Sequence, residues 1–238
     1  MLGNMTPASD LSPLCPDLPP DDRAVLARYW RSRGDGEMGA EIAFRQVRED
    51  LEVLGAPGSL LQIADRAIVD ERKHGHWGRE FSLRFGGTDE SEPFASRTRT
   101  IEFPGASPRA NRVLRIAFCC FNETVGCHVL QDIRPRVTEP ELRENNQRHL
   151  ADELQHARVG WGFLSLLGPD DRALIERYRP LLMRLVQIGC CTGPEREEFD
   201  HLVPYGYFTP TVLVRAHARA LVEVIEPGLR HLSIMEAA

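Results

Sequence analysis

The sequence predicts an all-α protein. Apolar residues recur at the three- and four-residue spacing of helices over most of the 238 residues, and runs that alternate apolar and polar residues, as strands do, are few. Clusters of glycine and proline divide the chain into segments of helical length. With 42% hydrophobic and 27% charged residues, the composition is typical of a globular protein with a well-buried core.

The N-terminal third predicts an arm and two helices. Few large apolar residues and five prolines in residues 1–20 indicate a flexible arm, and residues 21–238 are expected to form a single domain. A leading helix is expected over 21–31, because two aspartates favour its start, and a break at Gly34-Asp35-Gly36. The next helix is expected over 37–54, and its apolar stripe consists of Phe44, Val47, Leu51 and Leu54.

The next helix is expected over 59–85, between Gly55-Ala-Pro-Gly58 and Gly86-Gly87, with Ser59 as its N-cap. One face of this helix carries Leu60, Ala64, Ala67, Glu71, His74 and Phe81. Residues 87–108, rich in glycine, serine, threonine and proline, predict one long connection to the second half of the chain.

Two long helices are expected in the second half, over 109–132 and 139–167, and Thr138-Glu139-Pro140-Glu141 is a strong start for the latter. Further helices over 170–188 and 211–231 are expected to pack outside the four-helix core. Residues 188–210 predict a loop, read as a surface connection, with a cap over a site entrance as the alternative.

One pattern, Asp-Glu-x-x-His, occurs at residues 70–74 and 152–156, and each copy has a glutamate 30 residues before its own (71 − 41 and 153 − 123). A lone Glu-x-x-His arises by chance about once in a chain of this size, and we read Glu198 and His201 as such a coincidence. The shared aspartate, spacing and upstream glutamate argue against chance in the other two copies. The candidate ligands are therefore Glu41, Glu71, His74, Glu123, Glu153 and His156.

Helical spacing gives these six residues a common chemistry. Residues three apart share a helix face, so each glutamate and its histidine can reach one metal ion from the same side. Four carboxylates in a helical core need cations, because an unpaired buried charge is strongly destabilising, and two divalent ions cancel four negative charges. Oxygen-rich ligands with one imidazole per metal favour iron or manganese, with zinc as an adventitious occupant.

The order Glu, Glu-x-x-His, Glu, Glu-x-x-His resembles the ferritin-like di-iron carboxylate superfamily over residues 37–167. The resemblance implies a four-helix bundle with a long crossover between its second and third helices. It implies that the first three candidate ligands bind one metal and the last three the other, with Glu71 and Glu153 bridging. Residues 41–57 and Gly86-Gly87 look like bacterial ferritin-like proteins of the oxygenase or oxidase type.

An aspartate precedes each motif, and a histidine ligand usually donates its second ring N–H to a carboxylate. Related di-iron proteins cross these pairs, which implies Asp70 with His156 and Asp152 with His74. The alternative is that each aspartate lies on a solvated helix face.

Three further residues are candidates for the site. His149, one turn before Glu153, is either a seventh ligand, as in some N-oxygenating di-iron enzymes, or a hydrogen-bonded histidine at the rim. Cys120 either lines the pocket or fills the core as a small apolar residue. Arg48 either holds a carboxylate of the substrate or of the ligand surroundings, or extends into solvent.

Several classes of protein are disfavoured. The six cysteines include no Cys-x-x-Cys pair, which argues against a disulfide framework and a rubredoxin-type iron site. A net charge of −6 gives no general attraction for nucleic acid. Neither a signal segment nor a membrane-spanning run is recognised, so we expect no membrane partner and a cytoplasmic location.

The expected function is that of a non-haem di-iron oxygenase or oxidase that uses dioxygen to oxidise a small organic substrate. No flavin, haem or nicotinamide site is recognised, so electrons are expected from an external donor; a homodimer is left open. The alternative is iron handling, as a ferroxidase or a rubrerythrin-like peroxide scavenger. A third possibility is a structural bundle that holds zinc or no metal.

Overall fold

A computed structural model describes residues 11–88, 100–191 and 199–234. Every regular element within these ranges is helical, which confirms the all-α prediction. The helices are α1 (Pro20–Val53), α2 (Gly58–Arg84), α3 (Pro108–Ile133), α4 (Pro140–Ser165), α5 (Pro169–Cys191), a 3-10 helix (Asp200–Tyr205), α6 (Pro210–Ala220), a π-helical stretch (Leu221–Ile225) and α7 (Glu226–His231).

Three sequence predictions fall partly outside the described residues. Residues 1–10 of the N-terminal arm, 89–99 of the long connection and 192–198 of the later loop are not described. In the described part of the arm, residues 11–19 form no helix, and Leu14 is buried while its N–H donates to the Arg84 carbonyl at 3.0 Å.

The helix break predicted at Gly34-Asp35-Gly36 is wrong, because α1 continues through it. Glycine costs a helix about 1 kcal/mol relative to alanine, but here its lack of a side chain permits a close helix contact. A Cβ atom on Gly78 of α2 would lie only 2.5 Å from the Gly34 Cα. The predicted leading helix and the helix over 37–54 are therefore one helix, stabilised by packing against α2.

The loop predicted over 188–210 is shorter than expected. Helix α5 extends to Cys191, and residues Asp200–Tyr205 form a 3-10 helix that ends at Gly206, which has a φ of 81°. The Pro204 carbonyl accepts hydrogen bonds from the N–H groups of Thr138 and Glu139 at 3.1 and 3.2 Å. The segment is thus bonded to the two residues that precede α4, a long-range contact that local sequence signals do not reveal.

Contacts within the chain divide it into two compact units. Unit 1 contains the described residues 11–42 and 68–88, and unit 2 contains 43–67, 100–191 and 199–234. The single domain over 21–238 stays a prediction.

Unit 1 is held by close contacts between its parts of α1 and α2. The rings of Trp30 and Phe81 lie 4.9 Å apart, and the Ser82 hydroxyl donates to the Ala27 carbonyl at 2.8 Å. Together with the glycine contact, these interactions fix the register of the two helix segments that carry Glu41, Glu71 and His74.

Helix α3 is the core of unit 2, where it packs against α4, α5 and α6. Among the described helices it alone is long and apolar enough to cross a membrane, but 67% of its apolar window is buried inside the protein, as in the core helix of a soluble protein. Its start is capped by Ser107, whose hydroxyl accepts from the Ala110 N–H at 3.2 Å.

The predicted start of α4 is confirmed. Glu139 is the N-cap, and its carboxylate accepts from the Leu142 N–H at 2.7 Å, while Pro140 occupies the first helical position. The cap sets where α4 begins, and one face of the helix is then buried; this face includes Leu142, Asn146, His149, Leu150, Glu153 and His156.

Candidate metal centre

The six predicted ligands divide between the two units. Glu41, Glu71 and His74 are buried residues of α1 and α2 in unit 1, and we call them the α1–α2 half-site. The α3–α4 half-site in unit 2 consists of the partly exposed Glu123 and the buried Glu153 and His156.

In the α3–α4 half-site, three possible ligand atoms lie within 4.8 Å of one another. The Nδ1 atom of His156 is 3.8 Å from Oε2 of Glu123 and 3.7 Å from Oε2 of Glu153. Two atoms that bind one ion at about 2.1 Å lie about 3 to 4.2 Å apart. The side chains therefore already have the spacing of ligands to a single metal ion.

His149 adds a second imidazole to this half-site. Its Nε2 atom lies 2.9 Å from Oε1 of Glu153, one helical turn away, and its side chain is buried. Burial by itself would raise the pKa of Glu153, but hydrogen bonds with His149 and His156 outweigh burial and hold the pKa well below its ordinary value. His149 therefore forms a hydrogen bond, as one of the two alternatives expected from the sequence, and its role as a seventh ligand stays a prediction.

Apolar groups surround the buried donors. The ring of Phe44 meets the His156 ring edge-on, with centroids 5.2 Å apart. One turn beyond Glu123, Cys127 packs with Leu130 and Leu150, and Phe208 covers this cluster. Burial, and then the charges of Glu153 and Glu123, raise the pKa of the Cys127 thiol, so it stays a neutral side chain beside the ligands.

Cys120 lies at the contact between α3 and α4. A Cβ atom on Gly160 would be 2.1 Å from the Cys120 Cβ, and the thiol lies 4.0 Å from the Ala157 carbonyl. Burial, and then the charge of Glu123, raise its pKa well above the ordinary value. These contacts match the role of a small core residue that lets two helices approach.

In the α1–α2 half-site, Glu71 and His74 lie together on α2. Their Oε2 and Nδ1 atoms are 3.5 Å apart, again within the range expected for two ligands to one ion, and both side chains are almost fully buried. The His74 ring stacks against Trp77 at 5.3 Å with a tilt of 32°. This helix face thus presents one carboxylate and one oriented imidazole.

Glu41 has a partner that the sequence did not predict. The Arg72 guanidinium donates to Oε1 of Glu41 from Nη2 at 2.6 Å and from Nε at 3.2 Å, and this hydrogen bonding raises the pKa of Arg72. One turn earlier on α1, Glu37 places a carboxylate oxygen within 4.8 Å of a His74 ring nitrogen. Glu37 is therefore a carboxylate that sequence reasoning missed, although its four-residue offset from Glu41 puts it on the same helix face.

The remaining predicted residues have local partners. Asp70 is buried and accepts from the Lys73 ammonium at 3.2 Å within unit 1. Arg48 forms ion pairs with Asp65 at 3.1 Å and with Glu52 in unit 2, on a partly exposed side of α1. The crossed pairs expected for Asp70 and Asp152 each join residues of different units and stay predictions.

The third Glu-x-x-His copy is only partly described, because Glu198 is outside the described residues and His201 lies in the 3-10 helix.

Comparison with profiles of known families, with curated proteins and with solved structures found no match.

Proposed function

We propose that this protein is a ferritin-like di-iron oxidoreductase that uses dioxygen to oxidise a small organic substrate. The observation that carries the proposal is the set of three buried or half-buried donors in the α3–α4 half-site, already at ligand spacing. The repeat in the sequence supports a second, equivalent set in Glu41, Glu71 and His74. The proposed fold is a four-helix bundle of α1 to α4.

The chemistry of the donors supports a hard or borderline divalent metal. Each half-site offers two carboxylates and one imidazole, a ligand set that suits iron and also manganese. Zinc remains an adventitious occupant. Two iron ions would supply the redox chemistry with dioxygen, and because the sequence contains no recognised flavin or nicotinamide motif, an external electron donor is part of the proposal.

The surroundings of the α3–α4 half-site are compatible with an organic substrate. Cys127 packs with Leu130, Leu150 and Phe208 in a buried apolar cluster, and it lies close enough to Glu153 and Glu123 for their charges to raise the pKa of its thiol. His149 would orient Glu153 through its hydrogen bond, a positioning role that residues behind metal ligands often have.

The partners in this proposal are dioxygen, the substrate and the electron donor. A net charge of −6 supports neither nucleic acid nor an anionic membrane as a partner. A cytoplasmic location is part of the proposal, and a homodimer is compatible with it.

The test is anaerobic loading with Fe(II), metal analysis and Mössbauer spectroscopy before and after an oxygen pulse. Wild type should bind about two irons per chain, magnetically coupled after oxidation, and Glu153→Ala should lose at least one. Glu144→Ala is the matched control, because Glu144 is an exposed glutamate of the same helix that pairs with Arg148.

The outcomes separate the candidate functions. Two irons together with substrate-dependent oxygen consumption support the oxygenase. Rapid iron oxidation that no organic compound stimulates favours iron handling. Metal content that is the same in wild type and Glu153→Ala would overturn the proposal and leave a structural bundle.

A further inference from the structure

The two copies of the repeat differ in charge next to their ligands. Counting from the shared glutamates Glu71 and Glu153, the following two residues are Arg72 and Lys73 in the first copy but Leu154 and Gln155 in the second. The two positions directly after the ligand glutamate are therefore positively charged in the α1–α2 half-site and uncharged in the α3–α4 half-site. A metal ion is a cation, so the two half-sites present different electrostatic environments to it.

The first of these charges is bound to a predicted ligand. Arg72 holds Oε1 of Glu41 through two N–H groups, and the Glu41 side chain is only 9% exposed while that of Arg72 is 28% exposed. A charge-assisted, forked hydrogen bond of this kind is stronger than an ordinary surface ion pair. Glu41 therefore cannot offer this oxygen to a metal without first exchanging one cation for another.

The second charge is also fixed in place. Lys73 pairs with Asp70 at 3.2 Å, and its ammonium lies over the Trp77 ring at 4.9 Å from the centroid. Trp77 in turn stacks against His74. The positive group is thus held beside the α1–α2 half-site and does not move freely in solvent.

In the α3–α4 half-site, by contrast, the residue that differs between the two copies favours metal binding. At the position four residues before the ligand glutamate, the second copy has His149 and the first copy has Ala67. His149 lies 2.9 Å from Glu153, so this half-site holds two imidazoles and two carboxylates, whereas the α1–α2 half-site has one imidazole with its carboxylates. Imidazole suits iron, zinc and similar divalent ions, so the second imidazole favours their binding.

We propose that the two half-sites bind metal in a fixed order, the α3–α4 half-site first and tightly, the α1–α2 half-site second and more weakly. Arg72 sets the order, because its guanidinium keeps a positive charge at Glu41 and binds Oε1, so the second ion meets charge repulsion and one fewer available oxygen. This inference rests on the proposed function, since it assumes that both half-sites bind metal. The ligand is a divalent cation, and Arg72 is a positioning residue that competes with it.

The test is a calorimetric titration of the metal-free protein with Zn²⁺, repeated with Co²⁺ while its visible absorption is recorded. Wild type should show two steps that differ at least about tenfold in Kd. Arg72→Leu, which introduces the residue found at position 154, should tighten the weak step about tenfold and leave the tight step within about twofold. Arg72→Gln should also tighten the weak step, but by a smaller factor.

Arg79→Leu is the matched control. Arg79 lies two turns later on α2, is also partly exposed and pairs with Asp35 of α1 at 3.6 Å, so its loss should change neither step. The reciprocal variant Leu154→Arg places the missing charge at the exposed position 154 and should weaken the tight step about tenfold. Circular dichroism verifies that each variant is folded.

The outcomes distinguish this inference from the function on which it rests. Two steps of equal affinity, or an Arg72→Leu protein with unchanged steps, would overturn the fixed order and leave the di-iron proposal standing. A change in the tight step alone would likewise overturn it. Binding of no metal by wild type and Arg72→Leu would overturn both proposals together.

Discussion

The carboxylate of Asp50 should be a principal support of unit 2. Asp50 is fully buried on α1 and accepts hydrogen bonds from Arg112 and Arg115 of α3. The distances are 2.7 Å to Nη1 of Arg112 and 2.7 and 2.9 Å to Nε and Nη2 of Arg115, and Gln46 donates to it at 3.2 Å. Replacing it by asparagine keeps the shape but removes the charge that balances both guanidinium groups.

The magnitude follows from the exposure of the partners. Breaking a buried ion pair on one side costs about 3 to 5 kcal/mol, because the other charge stays buried. The Arg115 side chain is 10% exposed, but that of Arg112 is 31% exposed and can be solvated, and Arg115 also donates to Glu102 at 3.2 Å. The expected loss for Asp50→Asn is therefore near the lower limit, about 3 kcal/mol, or a fall in Tm of about 6 to 12 °C.

Chemical denaturation followed by circular dichroism measures this loss directly. Glu49→Gln is the control, since Glu49 is the exposed neighbour of Asp50 and its charge should contribute less than about 0.5 kcal/mol. If Asp50→Asn unfolds within about 0.5 kcal/mol of the wild type, the two arginines are adequately solvated without it. That result would refute the role of Asp50 as a buried ion-pair partner that joins α1 and α3.

Three other predictions test packing, acid sensitivity and the cysteine beside the ligands. Gly78→Ala should destabilise the protein by about 2 kcal/mol or more, because its Cβ would lie 2.5 Å from the Gly34 Cα. Gly36→Ala, whose Cβ would meet nothing within 4 Å, should instead stabilise it by about 0.5 to 1 kcal/mol; equal effects in denaturation would contradict the close contact. Burial lowers the pKa of His217 below its ordinary value of 6.5, so His217 is protonated at a higher pH in the unfolded chain than in the folded protein. The free energy of unfolding should therefore fall as the pH drops below 6.5, by at most about 1.4 kcal/mol per pH unit. The fall should end once the pH is below the lowered pKa of the folded state. Denaturation at several pH values should show that the free energy of unfolding declines less steeply with falling pH in His217→Asn than in the wild type. A substitution of the exposed His231 should leave the decline unchanged. Cys120→Ala should leave the metal content unchanged and cost about 1 to 2 kcal/mol, whereas loss of metal would identify the thiol as a ligand.

Local chemistry explains why much of the fold could be predicted. The starts of α3 and α4 depend on side chains within three residues of the helix, Ser107 and Glu139, and on the proline that follows each. The buried faces follow from helical periodicity. The residues predicted to share one face of α2 are all buried, namely Leu60, Ala64, Ala67, Glu71, His74 and Phe81. The contact between His149 and Glu153, four residues apart on one face, is predictable for the same reason.

Interactions between residues far apart in sequence decided the rest. The glycines at 34 and 36 indicated a helix end because each is intrinsically unfavourable in a helix, and only the packing of Gly34 against Gly78 shows why α1 continues. The π-helical stretch Leu221–Ile225 has no local signal that the pattern of apolar residues detects.

The difference between what the sequence determined and what the tertiary structure decided is clearest at the candidate metal centre. Sequence spacing by itself determined which carboxylates and imidazoles share a helix face, because the helix repeat is the same in every context. Only the tertiary structure decided that Arg72 binds Glu41, 31 residues earlier, and that Glu37 lies near His74. Such contacts depend on the relative position of two packed helices, which no single helix encodes.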